Sequence, residues 1–300
     1  MIAIDLGSNT LRVLKYDCES KASLQSYERV VKTADGLVDS GRISDAAVCR
    51  IINAIHTAQV EIDFAEDSVS AVTTEAMRRA SNRAEVLKEI YTLTGIGFDI
   101  ISGEEEARLT LLAVNQRLQY LARPSDNFVL VDIGGGSTEL IFNYGKKSIT
   151  KSFPVGIVTI AQSYKDLEAI EKALPREMLE MEVFCKQMYA TKGISQVFVA
   201  TAGTPTTVAS MKLGQDYAHY DASKINGSTL SKEELTFYLH KLLDMPFEAR
   251  EKAVGTGRSD LIAAGILIYR HLYSLLNFES CIIIDDGLRE GVALDFCHKL

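Results

Sequence analysis

The chain has 300 residues, 47% of them hydrophobic and 24% charged, with 32 basic against 40 acidic side chains and a net charge of −8. Those proportions exclude a disordered or collagen-like chain, and the acidic balance argues against non-specific binding to duplex nucleic acid. A domain runs to roughly 100–200 residues, so the length suggests two.

In chain order, the pattern predicts strands over 2–6 and 11–16 joined by Gly7-Ser8-Asn9-Thr10, then a third strand over 24–32. A polar, glycine-containing loop at 36–42 precedes a helix over 44–62, where Val48, Ile51, Ile52, Ile55 and Val60 recur near helical period. A short strand at 68–73 leads into a helix starting at Glu75. Asn82 is expected to cap the next helix and Gly95 to end it. A strand at 98–101, a long helix at 104–121 and a boundary at 123–126 complete the first half.

The second half opens on a repeat. Residues 2–16 read IAIDLGSNTLRVLKY and residues 130–144 read LVDIGGGSTELIFNY. Each is an apolar strand ending in Asp, a glycine turn with Ser and Thr, and a second apolar strand. Asp5 aligns with Asp132 and Gly7 with Gly134, 127 positions apart, whereas Leu11 meets Leu140 only after a small gap. A spacing this long suits two similar domains in tandem. A strand near 148–153 is followed by Pro154-Val155-Gly156, one charged helix over 167–189, and a strand over 196–201. Ala202-Gly203-Thr204-Pro205 turns into a helix starting near Thr206. Residues 214–230 read as loop, and Ser231 with Glu234 as a capping box. Helix, strand and final helix are predicted over 260–276, 280–285 and 288–296. Strands mixed with helices in this way imply an α/β chain.

No run of about 20 apolar residues occurs, so no membrane span is expected. The first residues lack the basic region and cleavage site of a secretory signal. Cys18, Cys49, Cys185, Cys281 and Cys297 are odd in number and scattered, which predicts reduced thiols in a cytoplasmic protein and no disulfide framework. The histidines are equally dispersed, so zinc is not expected.

A strand that ends in Asp and runs into a glycine turn suits phosphate. The glycines let backbone amides approach an anion, and hydroxyls add donors. The candidates are Gly7, Ser8, Asn9 and Thr10 in the first turn, Gly134, Gly135, Gly136, Ser137 and Thr138 in the second, and Gly203 and Thr204 in the third. The plainer reading is that these are simple hairpin turns. Arg12 and Arg78 are candidates to grip phosphate oxygens in pairs, or are ordinary surface arginines. Asp5 and Asp132 either cap their turns or anchor Mg²⁺ or another divalent cation, usually through water. Glu104, Glu105 and Glu106 complement the dipole of the long helix. Ser102 and Glu105 form a capping box, and Glu104 and Glu106 point to different faces. Glu139 alternates with Thr138 on its strand.

Taken together, these residues resemble the exopolyphosphatase/guanosine pentaphosphate phosphatase (Ppx/GppA) family. The resemblance rests on Asp5-Leu6-Gly7-Ser8-Asn9-Thr10 with Arg12, on Thr74-Glu75-Ala76-Met77-Arg78-Arg79-Ala80-Ser81-Asn82, and on Ser102-Gly103-Glu104-Glu105-Glu106-Ala107-Arg108-Leu109. It continues through Asp132-Ile133-Gly134-Gly135-Gly136-Ser137-Thr138-Glu139-Leu140, Ala202-Gly203-Thr204 and Asp286-Gly287-Leu288-Arg289-Glu290-Gly291. It implies two ribonuclease-H-like domains of the actin/sugar-kinase superfamily with an interdomain cleft. These would cover 1–124 and 125–300, the last helix at about 287–298 crossing back onto the first. It implies Glu106 as general base, Glu139 orienting the attacking water or a metal, and Asp5, Asp132 and Glu139 as metal residues. The implied activity is Mg²⁺-dependent release of terminal phosphate from inorganic polyphosphate and/or pppGpp. Two alternatives stay open here: a small-molecule kinase of the same superfamily, and a non-catalytic binder of polyphosphate or nucleotides. The length leaves no room for the additional C-terminal helical module that exopolyphosphatases often carry, which keeps short polyphosphates and pppGpp both open. The sequence does not fix oligomeric state, and a homodimer is compatible with it.

Overall fold

The computed structural model describes residues 1–65, 67–259 and 261–299; Glu66, Asp260 and Leu300 lie outside the described residues, and with Asp260 the predicted start of the 260–276 helix. The chain forms two compact units, Met1–Ala113 with Gly287–Leu300, and Val114–Asp286. The predicted boundary at 124/125 is therefore replaced by one inside the helix Gly103–Tyr120, and 287–300 belongs with the first unit.

The N-terminal unit is built on β1 (Ile2–Leu6), β2 (Thr10–Asp17), β3 (Ala22–Val30), β4 (Val69–Thr73) and β5 (Asp99–Ile100), in the order β3-β2-β1-β4-β5. The C-terminal unit contains β6 (Asn127–Ile133), β7 (Thr138–Tyr144), β8 (Lys147–Phe153), β9 (Val197–Thr201), β10 (Thr229–Ser231) and β11 (Ser280–Ile283), in the order β10-β11-β9-β6-β7-β8. Counting along each sheet, the ribonuclease-H-like order 3-2-1-4-5 occurs twice, and β10 is an added antiparallel edge. In both units an antiparallel meander of three strands is extended by parallel strands reached through helical crossovers. The fold is α/β with two mixed sheets. β1 is buried along its whole length, as a strand covered on both faces must be.

In the C-terminal unit, Ile262–Leu276 is apolar almost all round and accordingly buried, with Tyr269 and Tyr273 in the core beside Phe142, Phe153 and Phe198. In the N-terminal unit, the final helix Leu288–Cys297 packs Leu288, Val292 and Leu294 into one core with Leu14, Val72 and Leu109. Gly291 permits this close approach, because a Cβ there would overlap the Leu109 carbonyl oxygen.

Several local expectations change. The predicted single helix at 167–189 is two, Leu167–Glu177 and Leu179–Lys192, broken just after Pro175, which lacks an amide and crowds the preceding turn. Ile157–Ser163 and Phe247–Val254 are additional helices, and 214–230 holds Ala222–Ile225 and β10. These are too short to show a period. The helix expected near Thr206 begins at Gly203. Asn82 occupies the N-cap position of its helix as expected, but its side chain makes no capping bond; its amide pairs with both backbone groups of Ile43, at 2.9 Å each. The expectation of reduced thiols fails at Cys18 and Cys297, which are bonded across 279 positions with Cα atoms 5.3 Å apart. The fold brings the end of the final helix to the β2–β3 turn, a proximity invisible to spacing rules. Among the described residues no helix is long and apolar enough to cross a membrane.

Candidate functional site

The two glycine turns are the same structure. Leu6 pairs with Leu11 and Ile133 with Thr138, so each turn encloses four residues. The Gly7 amide donates to Thr10 O at 3.0 Å, and the Gly134 amide to Ser137 O at 2.9 Å. The expected gap in the alignment is therefore absent, and the residue equivalent to Arg12 is Glu139.

Both turns use their carbonyls inward. Ser8 O accepts from Ala34, and Asn9 O from Val31 and Lys32. Gly134 O accepts from Ile157, and Gly135 O from Val158 and Thr159 at the start of Ile157–Ser163. Among the described residues, no acceptor takes the amides of Ser8, Asn9, Gly135 or Gly136. Successive unclaimed amides form a concavity suited to an anion. Gly156 secures the second turn, since a Cβ on it would lie 2.5 Å from the Gly135 carbonyl carbon.

Two hydroxyls expected at phosphate belong to the fold instead. Thr138 is fully buried and its Oγ1 donates to Val155 O at 2.6 Å. Thr204 is buried with its hydroxyl against Gly265, which must be glycine to accommodate it. Gly203 opens the helix Gly203–Lys212, after Ala202 at φ 73° and ψ −179°, a region that costs an L-residue about 1–3 kcal/mol.

Each sheet carries a row of three directly paired residues across its meander. In the N-terminal unit the row is Asp5, Arg12, Glu28, with Arg12 Nε donating to Glu28 Oε2 at 3.0 Å and Nη1 lying 3.8 Å from Asp5 Oδ2. The guanidinium is shared between the two acids, with its hydrogen bond going to Glu28 and its longer contact to Asp5. In the C-terminal unit the row is Asp132, Glu139, Ser152. Glu139 is only 1% exposed, not the solvated outer-face residue that strand position alone would give, and its Oε1 accepts from Ser152 Oγ at 2.7 Å. Directly opposed like charges are destabilising unless something offsets them. Two neighbouring carboxylates are the oxygen donor set that Mg²⁺ takes, together with phosphate oxygens and water. Among the described residues no group of three or more His, Cys, Asp or Glu side chains is arranged to hold a metal.

The three acids at the start of Gly103–Tyr120 separate by burial. Glu104 is exposed, Glu105 half-buried, and Glu106 8% exposed. The capping box is one-sided: Ser102 Oγ accepts from the Glu105 amide at 3.1 Å, while the Glu105 carboxylate takes two hydrogen bonds from Arg108. Arg108 also reaches Asp295 on the final helix at 2.7 Å. Glu106 Oε2 accepts from Arg78 Nη1 at 2.9 Å. Arg78 further donates to Glu75 and to the Ile101 carbonyl. Burial opposes its charge, but Glu106 and Glu75 outweigh that and raise its pKa. Arg78 thus pairs with two carboxylates and holds Glu106 in place.

The residues that sequence reasoning missed are the holders Ser152 and Glu28, and the helical Tyr269 in the core of the C-terminal unit. Tyr269 is fully buried and donates to Thr201 O at 2.8 Å, and burial first, then Asp132, raises its pKa. Only the holders' alternation was legible; their pairing is long-range.

Residues 17–300 match the Ppx/GppA phosphatase family. Exopolyphosphatase 2 of Mycobacterium tuberculosis is 26% identical over 97% of this chain and 97% of its own length. The guanosine-5′-triphosphate,3′-diphosphate pyrophosphatase of Photobacterium profundum is 27% identical over 99% of this chain, which spans 59% of that protein. A solved Ppx/GppA family member from Aquifex aeolicus is 28% identical with a TM-score of 0.74, over 99% of this chain and 97% of its own. An exopolyphosphatase structure from Cytophaga hutchinsonii shares the fold with a TM-score of 0.87 at 22% identity, over 100% of this chain and 98% of its own.

Proposed function

The chain belongs to the Ppx/GppA phosphatase family, a phosphoanhydride hydrolase by class, and from that premise we propose that it releases terminal phosphate from inorganic polyphosphate and/or pppGpp with the help of Mg²⁺ or another divalent cation. The observation that carries this is the pair of identical turns whose amides no described acceptor takes, one of them beside opposed carboxylates. The nearly full-length likeness to an exopolyphosphatase supports polyphosphate as the first substrate to test.

In this reading the amides of Ser8, Asn9, Gly135 and Gly136 hold phosphate oxygens, and Arg12 adds a positive charge. Asp132 and Glu139 would hold the divalent cation, which supplies charge neutralisation of the phosphate chain. Glu106, fixed by Arg78, takes the proton of the attacking water. Positioning and electrostatics supply most of the acceleration in phosphoryl transfer. The family assignment favours hydrolysis over transfer to a small acceptor.

The test is phosphate release from polyphosphates of several lengths, pppGpp and ATP, with and without Mg²⁺. Glu106→Gln should keep the fold and lower the rate by about 10²–10⁴-fold. An active Gln variant would reject Glu106 as the base.

A further inference from the structure

The rows across the two meanders share a design that the catalytic reading does not use. In each, the third strand supplies the partner of the middle residue: Glu28 for Arg12 at 3.0 Å, and Ser152 for Glu139 at 2.7 Å. Directly paired residues lie on the same face of the sheet, so Asp132, Glu139 and Ser152 share one face, with Glu139 in the middle.

We propose that Ser152 is a positioning residue for hydrolysis, which orients the Glu139 carboxylate against its repulsion from Asp132. The proposal rests on the reading that Glu139 acts in the reaction. A glutamate has rotatable bonds enough to swing away from a neighbouring carboxylate. The Ser152 hydroxyl removes that freedom by holding Oε1, and so fixes where Oε2 lies. At 2.7 Å the contact has the distance of a well-formed hydroxyl hydrogen bond. Because the donor is neutral, it orients the carboxylate without cancelling the charge of the Asp132–Glu139 pair. In the other row the middle position holds a cation, Arg12, whereas here Ser152, on the edge strand of the meander and close to the glycine turn, adds no charge.

The experiment compares Ser152→Ala, Ser152→Thr and Glu139→Gln for kcat, KM and melting temperature. Ser152→Ala should lower kcat by about 10–100-fold, the usual effect of losing a partner that orients a functional ligand, with KM and melting temperature little changed. Ser152→Thr keeps the hydroxyl, suits a strand, and should restore most of the rate. Full kcat in Ser152→Ala, or a Thr variant as slow as the Ala variant, overturns the proposal. If Glu139→Gln is inactive while Ser152→Ala is unimpaired, the positioning role alone fails. If Glu139→Gln is itself fully active, the role of Glu139 fails, and the positioning role with it.

Discussion

The two hairpins share backbone, loop length and closing hydrogen bond, yet carry different electrostatics. In the N-terminal unit the middle residue of the row is Arg12 between two acids, so one positive charge offsets part of the row's negative charge. In the C-terminal unit the middle residue is Glu139 opposite Asp132, and a hydroxyl replaces the third charge. A duplicated frame thus hosts two chemistries through two side chains, Arg12 against Glu139 and Glu28 against Ser152. The amides that suit phosphate belong to both frames, because they come from backbone geometry.

Exchange at the middle position tests this asymmetry most severely. Glu139→Gln should lower kcat by about 10²–10⁴-fold. Arg12→Gln should chiefly raise KM, by about tenfold, the size of one charge-assisted hydrogen bond. Equal losses of kcat in steady-state phosphate release would erase the distinction between the rows.

The next effect concerns the frames. Only the N-terminal unit has a disulfide among the described residues. Cys297→Ser should cost about 2–4 kcal/mol because the bond closes a very long loop. The loss should appear in thermal melting without reductant and vanish when a dithiol reduces both proteins. Unchanged melting under both conditions would remove the bond from the stability account.

Each frame also depends on one glycine at a close backbone approach. Gly156→Ala should destabilise by about 1–3 kcal/mol through overpacking against Gly135. Gly291→Ala should do so too, although Ala in a helix interior otherwise gains about 1 kcal/mol over Gly. Chemical denaturation would show the sign, and a stabilised Gly291→Ala would mean that the Leu109 backbone yields. The smallest effect is at the third turn, where Ala202→Gly should gain about 1 kcal/mol by relieving a conformation that suits glycine. A lower melting temperature there would mean the strain is absent.

The alternating strands, the Gly-rich turns and the capping box at Ser231 were legible because they are local signals. So was Glu106, but only through resemblance; the capping-box spacing sets Glu105 apart, and helical position puts Glu104 and Glu106 on different faces without saying which one acts. What separates them is burial, set by the packing of Gly103–Tyr120 and by Arg78 from another helix. Thr138 and Thr204 misled because a hydroxyl beside a glycine turn looks the same whether it faces a ligand or a neighbouring backbone.

Periodicity and turn chemistry act over a few residues, so the chain alone specifies its α/β class, its repeated hairpin and the acids and glycines available for phosphate chemistry. Register and burial act across tens to hundreds of residues. They pair Asp132 with Glu139 and both units' middle residues with their holders, join Cys18 to Cys297, and turn Arg78 toward Glu106. Those partners are remote in sequence, and no local pattern encodes which of many similar side chains folding will bring together.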